Sequence, residues 1–105
     1  MTLNKPFLVH ALMEGVSVII EDFPLCQFRL LNDRENPAFI LVPKIQAIKT
    51  LSDLDQEERF LLIDEIDLAT KKIKSALKLD IYSTEITADT VHQLHVRLKV
   101  SPATT

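Results

Sequence analysis

Near its C-terminal end the chain alternates polar and apolar side chains with period two, through His92-Gln93-Leu94-His95-Val96-Arg97-Leu98-Lys99-Val100. This period marks a strand with two chemically distinct faces. Leu94, Val96, Leu98 and Val100 form the apolar face, and Gln93, His95, Arg97 and Lys99 form the polar one. Upstream, residues 16–21 are rich in β-branched side chains and predict a strand, which Asp22-Phe23-Pro24 breaks. Residues 25–31 predict a second strand, with Cys26, Phe28 and Leu30 on one side and Gln27 and Arg29 on the other. The stretch from Asn32 to Pro37 is dense in turn formers. Residues 38–42 are a continuous apolar run ended by Pro43, the pattern of a central strand. Three strands joined by short turns predict an antiparallel meander.

Residues 52–79 carry the clearest helical period. Leu62, Ile66, Ala69, Ile73, Ala76 and Leu77 recur at steps of three and four, which predicts one stripe turned toward the sheet. Ser52 or Asp53 is the predicted N-cap. Asp55, Glu57 and Glu58 in the first turns and Lys71, Lys72, Lys74 and Lys78 in the last complement the helix dipole. These charges, including the i,i+4 pair Asp67 and Lys71, read as a solvated helix face. Residues 81–87 predict a strand, Ala88-Asp89-Thr90 a turn, and residues 101–105 a frayed polar tail. At the other end Phe7, Leu8, Ala11 and Leu12 share a face behind Pro6, predicting a short helix within residues 1–13. The order β-β-β-α-β-β predicts a single α+β domain over residues 1–105, an antiparallel sheet with the long helix packed on one face.

Composition narrows the function classes. A chain of 105 residues with 47% apolar and 26% charged residues suits one soluble globular domain. The net charge of -3 argues against a broad nucleic-acid interface, which needs basic stripes, but leaves room for a local anion site. Cys26 is the sole cysteine, so an internal disulfide and a multi-cysteine zinc site are excluded. It reads as a small buried hydrophobe. No apolar run reaches the roughly 20 residues of a bilayer span, and the first residues lack a secretion signal. No membrane association is expected, and the cytoplasm is the expected location. Gly15 is the sole glycine, which excludes the Gly-rich phosphate loops of P-loop and Rossmann proteins.

His95 is the strongest chemical candidate, because an imidazole can attack phosphorus or serve as a general acid or base. Alternation puts Gln93 and Arg97 on its face, each about 7 Å away along the strand. Arg97 can hold a phosphate oxygen pair, and Gln93 can donate an N–H. The same face also suits the solvated side of an ordinary strand. His92 and His95 fall on opposite faces, which argues against a shared metal. His10 is remote in sequence, and no metal or cofactor is expected. Asn32 stands where a strand enters a turn, placed either to reach a ligand or to close an Asx turn.

Three stretches together resemble the histidine triad (HIT) superfamily, most closely its small bacterial members. They are Asp22-Phe23-Pro24-Leu25-Cys26 followed by Arg29-Leu30-Leu31-Asn32-Asp33, then Pro37-Ala38-Phe39-Ile40-Leu41-Val42-Pro43-Lys44, and then Gln93-Leu94-His95-Val96-Arg97-Leu98, which is similar to His-x-His-x-His. Leu51-Ser52-Asp53-Leu54-Asp55 before the long helix also matches. The resemblance implies a HIT-like fold and a homodimer. It further implies a site for a purine nucleotide or nucleotide conjugate, in which His95 attacks the α-phosphorus of a phosphoanhydride or phosphoramidate. A nucleotidyl-histidine forms and water then releases the nucleoside monophosphate. Asn32 matches the residue that holds the ribose. Gln93 and Arg97 stand at the first and third triad positions, and an arginine stays cationic where a histidine would shuttle a proton. Before the triad the family has a glycine followed by Gln or Asn. Here Ala88-Asp89 would limit backbone approach and repel a phosphate. The alternatives are a non-catalytic nucleotide binder and a dimeric structural or interaction module.

Overall fold

The computed structural model describes residues 17–32, 37–88 and 93–102. The helix expected within residues 1–13, His10, Asp89 and His92 lie outside the described residues. The described residues form β1 (Ser17–Asp22), β2 (Cys26–Leu31), β3 (Ala38–Pro43), a 3₁₀ turn (Leu51–Asp53), α1 (Gln56–Leu77), β4 (Leu79–Thr87) and β5 (His95–Pro102). The expected α+β order holds. The strands make one five-stranded sheet in the order β1-β2-β3-β5-β4, with every neighbouring pair antiparallel. The meander is therefore β1-β2-β3. The chain then crosses the sheet through α1, lays β4 at the far edge, and returns to insert β5 between β3 and β4. This last step makes the His95 strand a central one.

One face of the sheet meets α1. Phe28, Leu41 and Val96 lie in register across β2, β3 and β5 and are buried, as are Leu62, Ala69 and Ile73 of the helix. Phe28 sits between Phe23 and Phe39, with ring centroids 5.5 Å away on each side. Glu65 lies within this buried stripe of α1. Its two carboxylate oxygens accept the backbone N–H groups of Leu25 at 2.7 Å and Cys26 at 2.8 Å, tying the helix to the β1–β2 turn. Burial, with the Glu65 carboxylate beside it, pushes the Cys26 thiol far above its usual range, so it stays protonated and inert.

The helix departs from expectation at both ends. Asp55 caps it, accepting Glu58 N–H at 2.8 Å, while the Glu58 carboxylate accepts Asp55 N–H at 2.8 Å. Asp53 instead serves the 3₁₀ turn. Its carboxylate accepts the N–H groups of Lys49 and Thr50, bonds that hold it below the usual range. Thr50-x-x-Asp53 and Asp55-x-x-Glu58 both fit a capping box, and the downstream one starts the α-helix. At the other end Ala76 and Leu77 are exposed rather than core-facing. Lys78 adopts a left-handed conformation (φ 57°) that turns the chain straight into β4, where Leu79 and Ile81 take over the packing. The Asp67–Lys71 pair forms at 2.9 Å on the exposed face. Residues 101 and 102 are not a frayed tail. Ser101 and Pro102 pair with Asp80 and Leu79, because β4 begins two residues earlier than its β-branched pattern indicated.

Candidate functional site

The alternation of β5 is as predicted: Leu94, Val96, Leu98 and Val100 face the helix-covered core. The opposite face is not the solvated side of an ordinary strand. Gln93 is 6% and His95 4% exposed, and Arg97 and Lys99 are half-buried. β5 lies beside β3, whose side chains on this face, Ala38, Ile40 and Val42, are also buried. The register draws one row across it, Arg29–Ile40–Arg97–Glu85. Arg29 is buried and held: Nε donates to Ser17 Oγ at 2.8 Å and a terminal nitrogen to Gln27 Oε1 at 2.8 Å.

His95 opens β5 opposite Thr87. Its Nδ1 lies 2.9 Å from the Gln93 carbonyl oxygen. A carbonyl only accepts, so this bond assigns the proton to Nδ1 and leaves the Nε2 lone pair available. Burial pushes the His95 pKa below its ordinary 6.5; the Gln93 hydrogen bond opposes this and the Arg97 charge reinforces it. At neutral pH the ring is neutral and held in one orientation. The Gln93 backbone thus orients the ring, a role that no side-chain pattern encodes.

This depression has a consequence for stability. Because the folded pKa lies below 6.5, the unfolded chain binds more protons in the interval between the two values. The His95 contribution is fully present above the unfolded value and is lost as pH falls through the folded one. Chemical denaturation at about pH 7.5 and about pH 5.5 is expected to show the wild type losing more stability than His95→Gln over that drop. Equal losses in the two chains would refute the depressed value.

Arg97 Nε is buried and, among the described residues, makes no hydrogen bond. Its cross-strand acid, Glu85, is committed elsewhere: it accepts from Lys99 Nζ at 3.0 Å and from Ser83 Oγ at 3.2 Å. The Lys99 bond chiefly holds the Glu85 carboxyl below its usual range. A guanidinium therefore stands two residues from the imidazole on one buried face, suited to binding an anion.

The structure does not bring Asn32 against His95. Asn32 is exposed and immediately follows β2. Leu31 is level with Ala38 and Lys99, so Asn32 lies two strands across and about five residues, roughly 17 Å, along from His95. Only an extended ligand lying over the sheet touches both. Alternation within β2 would send Asn32 to the Phe28 face, but the strand ends at Leu31. Ala88 is half-buried and helps to line an open cleft of about 520 Å³ with Lys49, Thr50, Leu51, Ile86, Thr87 and Leu94. This cleft adjoins His95 at the end of the sheet, where Leu94 N–H bonds the Ile48 carbonyl at 2.9 Å. Among the described residues no three His, Cys, Asp or Glu side chains gather to hold a metal. No helix there is long and apolar enough to cross a membrane.

Glu65 escaped the sequence reading. Its signal was a carboxylate on the apolar stripe, three residues from Leu62 and four from Ala69.

Comparison with known proteins agrees with this architecture. A histidine triad protein from Bradyrhizobium japonicum is 25% identical, with a TM-score of 0.83, over 92% of this chain and 72% of that one. One from Sinorhizobium meliloti 1021 is 30% identical, with a TM-score of 0.82, over 92% of this chain and 71% of that one. One from Marinobacter aquaeolei VT8, at 24% identity, shares the fold with a TM-score of 0.82 over 92% of this chain and 71% of that one. No curated protein matches the sequence. The HIT domain model matches residues 13–98, a span from before β1 into β5, and the chain therefore belongs to the HIT family.

Proposed function

We propose that this protein binds a purine nucleotide conjugate over the polar face of β5 and cleaves it through a nucleotidyl-His95 intermediate. The observation that carries the reading is the His95–Gln93 hydrogen bond, which leaves Nε2 unprotonated and fixed. Arg97 supplies positive charge for the phosphate, Gln93 sets the ring, and Asn32 binds whatever part of the conjugate reaches across the sheet. Asp89, which precedes the triad in sequence, is the proposed phosphate-loop position. It disfavours a second negative charge there.

The test is denaturing intact-mass analysis, kept at alkaline pH because a P–N bond to histidine is lost in acid, of the chain incubated with an adenosine 5'-phosphate conjugate. One added nucleotidyl group on His95 is expected, with AMP released. Turnover without any adduct at His95 would overturn the assignment. Nucleotide binding with neither adduct nor turnover would favour the non-catalytic binder. Arg97 lends that second reading weight, because a guanidinium holds phosphate without exchanging its proton.

The protein is further proposed to act as a homodimer through α1 and the β4 edge. Lys72 on one flank of α1 bonds Glu21 of β1 at 2.9 Å. Ile63, half a turn away around the helix, lies toward β4. Phe60 (62% exposed), Ile63, Tyr82 (66% exposed) and Ile86 leave an apolar surface there. Phe60→Glu is expected to shift the chain to monomer in sedimentation-velocity runs at micromolar concentration. An unchanged dimer, or a monomeric wild type, would refute this interface.

A further inference from the structure

We infer that this site selects conjugates whose leaving group departs as a stable anion, namely mixed anhydrides of a nucleoside monophosphate with a carboxylate or phosphate. Phosphoramidates of basic amines are disfavoured. The inference rests on the nucleotidyl-His95 reading and narrows its substrate class.

In the first step the Nε2 pair of His95 forms a bond to the α-phosphorus. The phosphorus–leaving-group bond breaks, and its electron pair goes to the leaving atom. The positive charge that develops on the ring is shared with Nδ1–H, which already donates to the Gln93 carbonyl. A carboxylate or phosphate leaves as the anion that it is at neutral pH and needs no proton. An amine cannot leave as an amide anion, so its nitrogen must first be protonated by an acid at the site.

The described residues on this face offer no such acid, and an ordinary carboxyl, as Asp89 would bring to the phosphate, holds no proton at neutral pH. Arg97 and Arg29 are guanidiniums, which keep their protons at any relevant pH. Glu85 is held in its ionised form. Lys99 Nζ is bound to Glu85 at 3.0 Å and starts about 13 Å along the strand from His95. The Thr87 hydroxyl and the Gln93 amide are far too weak. The Nδ1 proton of His95 faces the Gln93 carbonyl, away from the attacking nitrogen.

Arg97 nonetheless suits the rest of the reaction. Its buried Nε–H and permanent charge can stabilise the charge that builds on the phosphoryl oxygens. In the second step water attacks phosphorus, the P–N bond returns its pair to Nε2, the proton of the attacking water passes to solvent, and the nucleoside monophosphate leaves. Neither step needs a proton from the protein when the leaving group is an anion.

The experiment compares two probes on the wild-type chain: the benzoyl mixed anhydride of AMP and the benzylamidate of AMP. Rates are measured above those with His95→Ala. The anhydride is expected to have the larger kcat/KM by at least about 100-fold, the lower range of a general acid's contribution. Arg97→His is expected to restore benzylamide cleavage by at least about 10-fold while changing anhydride cleavage less. Equal wild-type efficiency on the two probes would overturn the inference while leaving the His95 reading intact. A histidine at 97 that does not narrow the ratio would also overturn it. No cleavage of either probe and no adduct would instead overturn the parent reading. Should Arg97→His fold poorly, a series of AMP aryl esters on the wild type serves in its place. There kcat/KM is expected to fall steeply as the leaving group becomes more basic, and a flat dependence would reveal a proton donor and sink the inference.

Discussion

His95→Ala is expected to lower kcat/KM for release of nucleoside monophosphate by at least about 10³-fold, roughly 4 kcal/mol of barrier, and to abolish the covalent adduct. The size follows from the role. A nucleophile that forms the intermediate has no substitute among the described residues of the face: the Gln93 amide is not nucleophilic, Arg97 stays protonated, and Cys26 faces the helix side of the sheet with its thiol protonated. Alanine also strips a donor from the Gln93 carbonyl in a buried place, which costs about 1–3 kcal/mol of stability. His95→Gln separates the two effects, because its amide can still donate there but cannot attack phosphorus. Both variants are expected to bind AMP within about 10-fold of wild type by calorimetry, since ground-state affinity rests on other groups. Turnover that survives in a folded His95→Gln chain would remove His95 from the mechanism.

Glu65→Ala is the substitution expected to cost most stability, about 3 kcal/mol or more. The carboxylate is 3% exposed and accepts two backbone N–H groups at 2.7 and 2.8 Å. Removing it orphans two buried donors, each worth about 1–3 kcal/mol, and frees the β1–β2 turn from α1. For a chain of 105 residues this corresponds to a fall in Tm of roughly 10–20 °C. Glu65→Gln keeps one acceptor and sets an NH₂ against the other N–H, so an intermediate loss is expected. A Tm for Glu65→Ala within about 2 °C of wild type would show that the turn is held by other contacts. Cys26, beside this carboxylate, is expected to remain unreactive toward a neutral alkylating agent in the native chain and to react on unfolding.

The sequence by itself determined what depends on local periodicity. Residues 38–42, a short apolar run ended by Pro43, suit a central strand, and Leu62, Ala69 and Ile73 suit one helical stripe, because at those spacings these elements take the apolar side chains out of water together. Alternation likewise put Gln93, His95 and Arg97 on one face. The helix cap was ambiguous in sequence because two capping boxes follow one another there, at 50–53 and 55–58. The exposure of Ala76 and Leu77 was hidden because the left-handed turn at Lys78 is a backbone choice.

Only the tertiary structure decided the character of the His95 face. Alternation cannot tell a solvated face from a covered one, since both carry polar side chains. Burial decides it: His95 is 4% exposed, and Ile40 and Val42 on the same face of neighbouring β3 are buried with it. Burial then makes the imidazole neutral, and the backbone turn at Gln93 selects its tautomer. The anchoring by Glu65 was equally invisible, because its partners are backbone N–H groups 39 and 40 residues away. Residue identity and spacing specify which side chains are available and which way they point. Desolvation and long-range hydrogen bonds, which arise only when strands distant in sequence become neighbours, specify what those side chains can do.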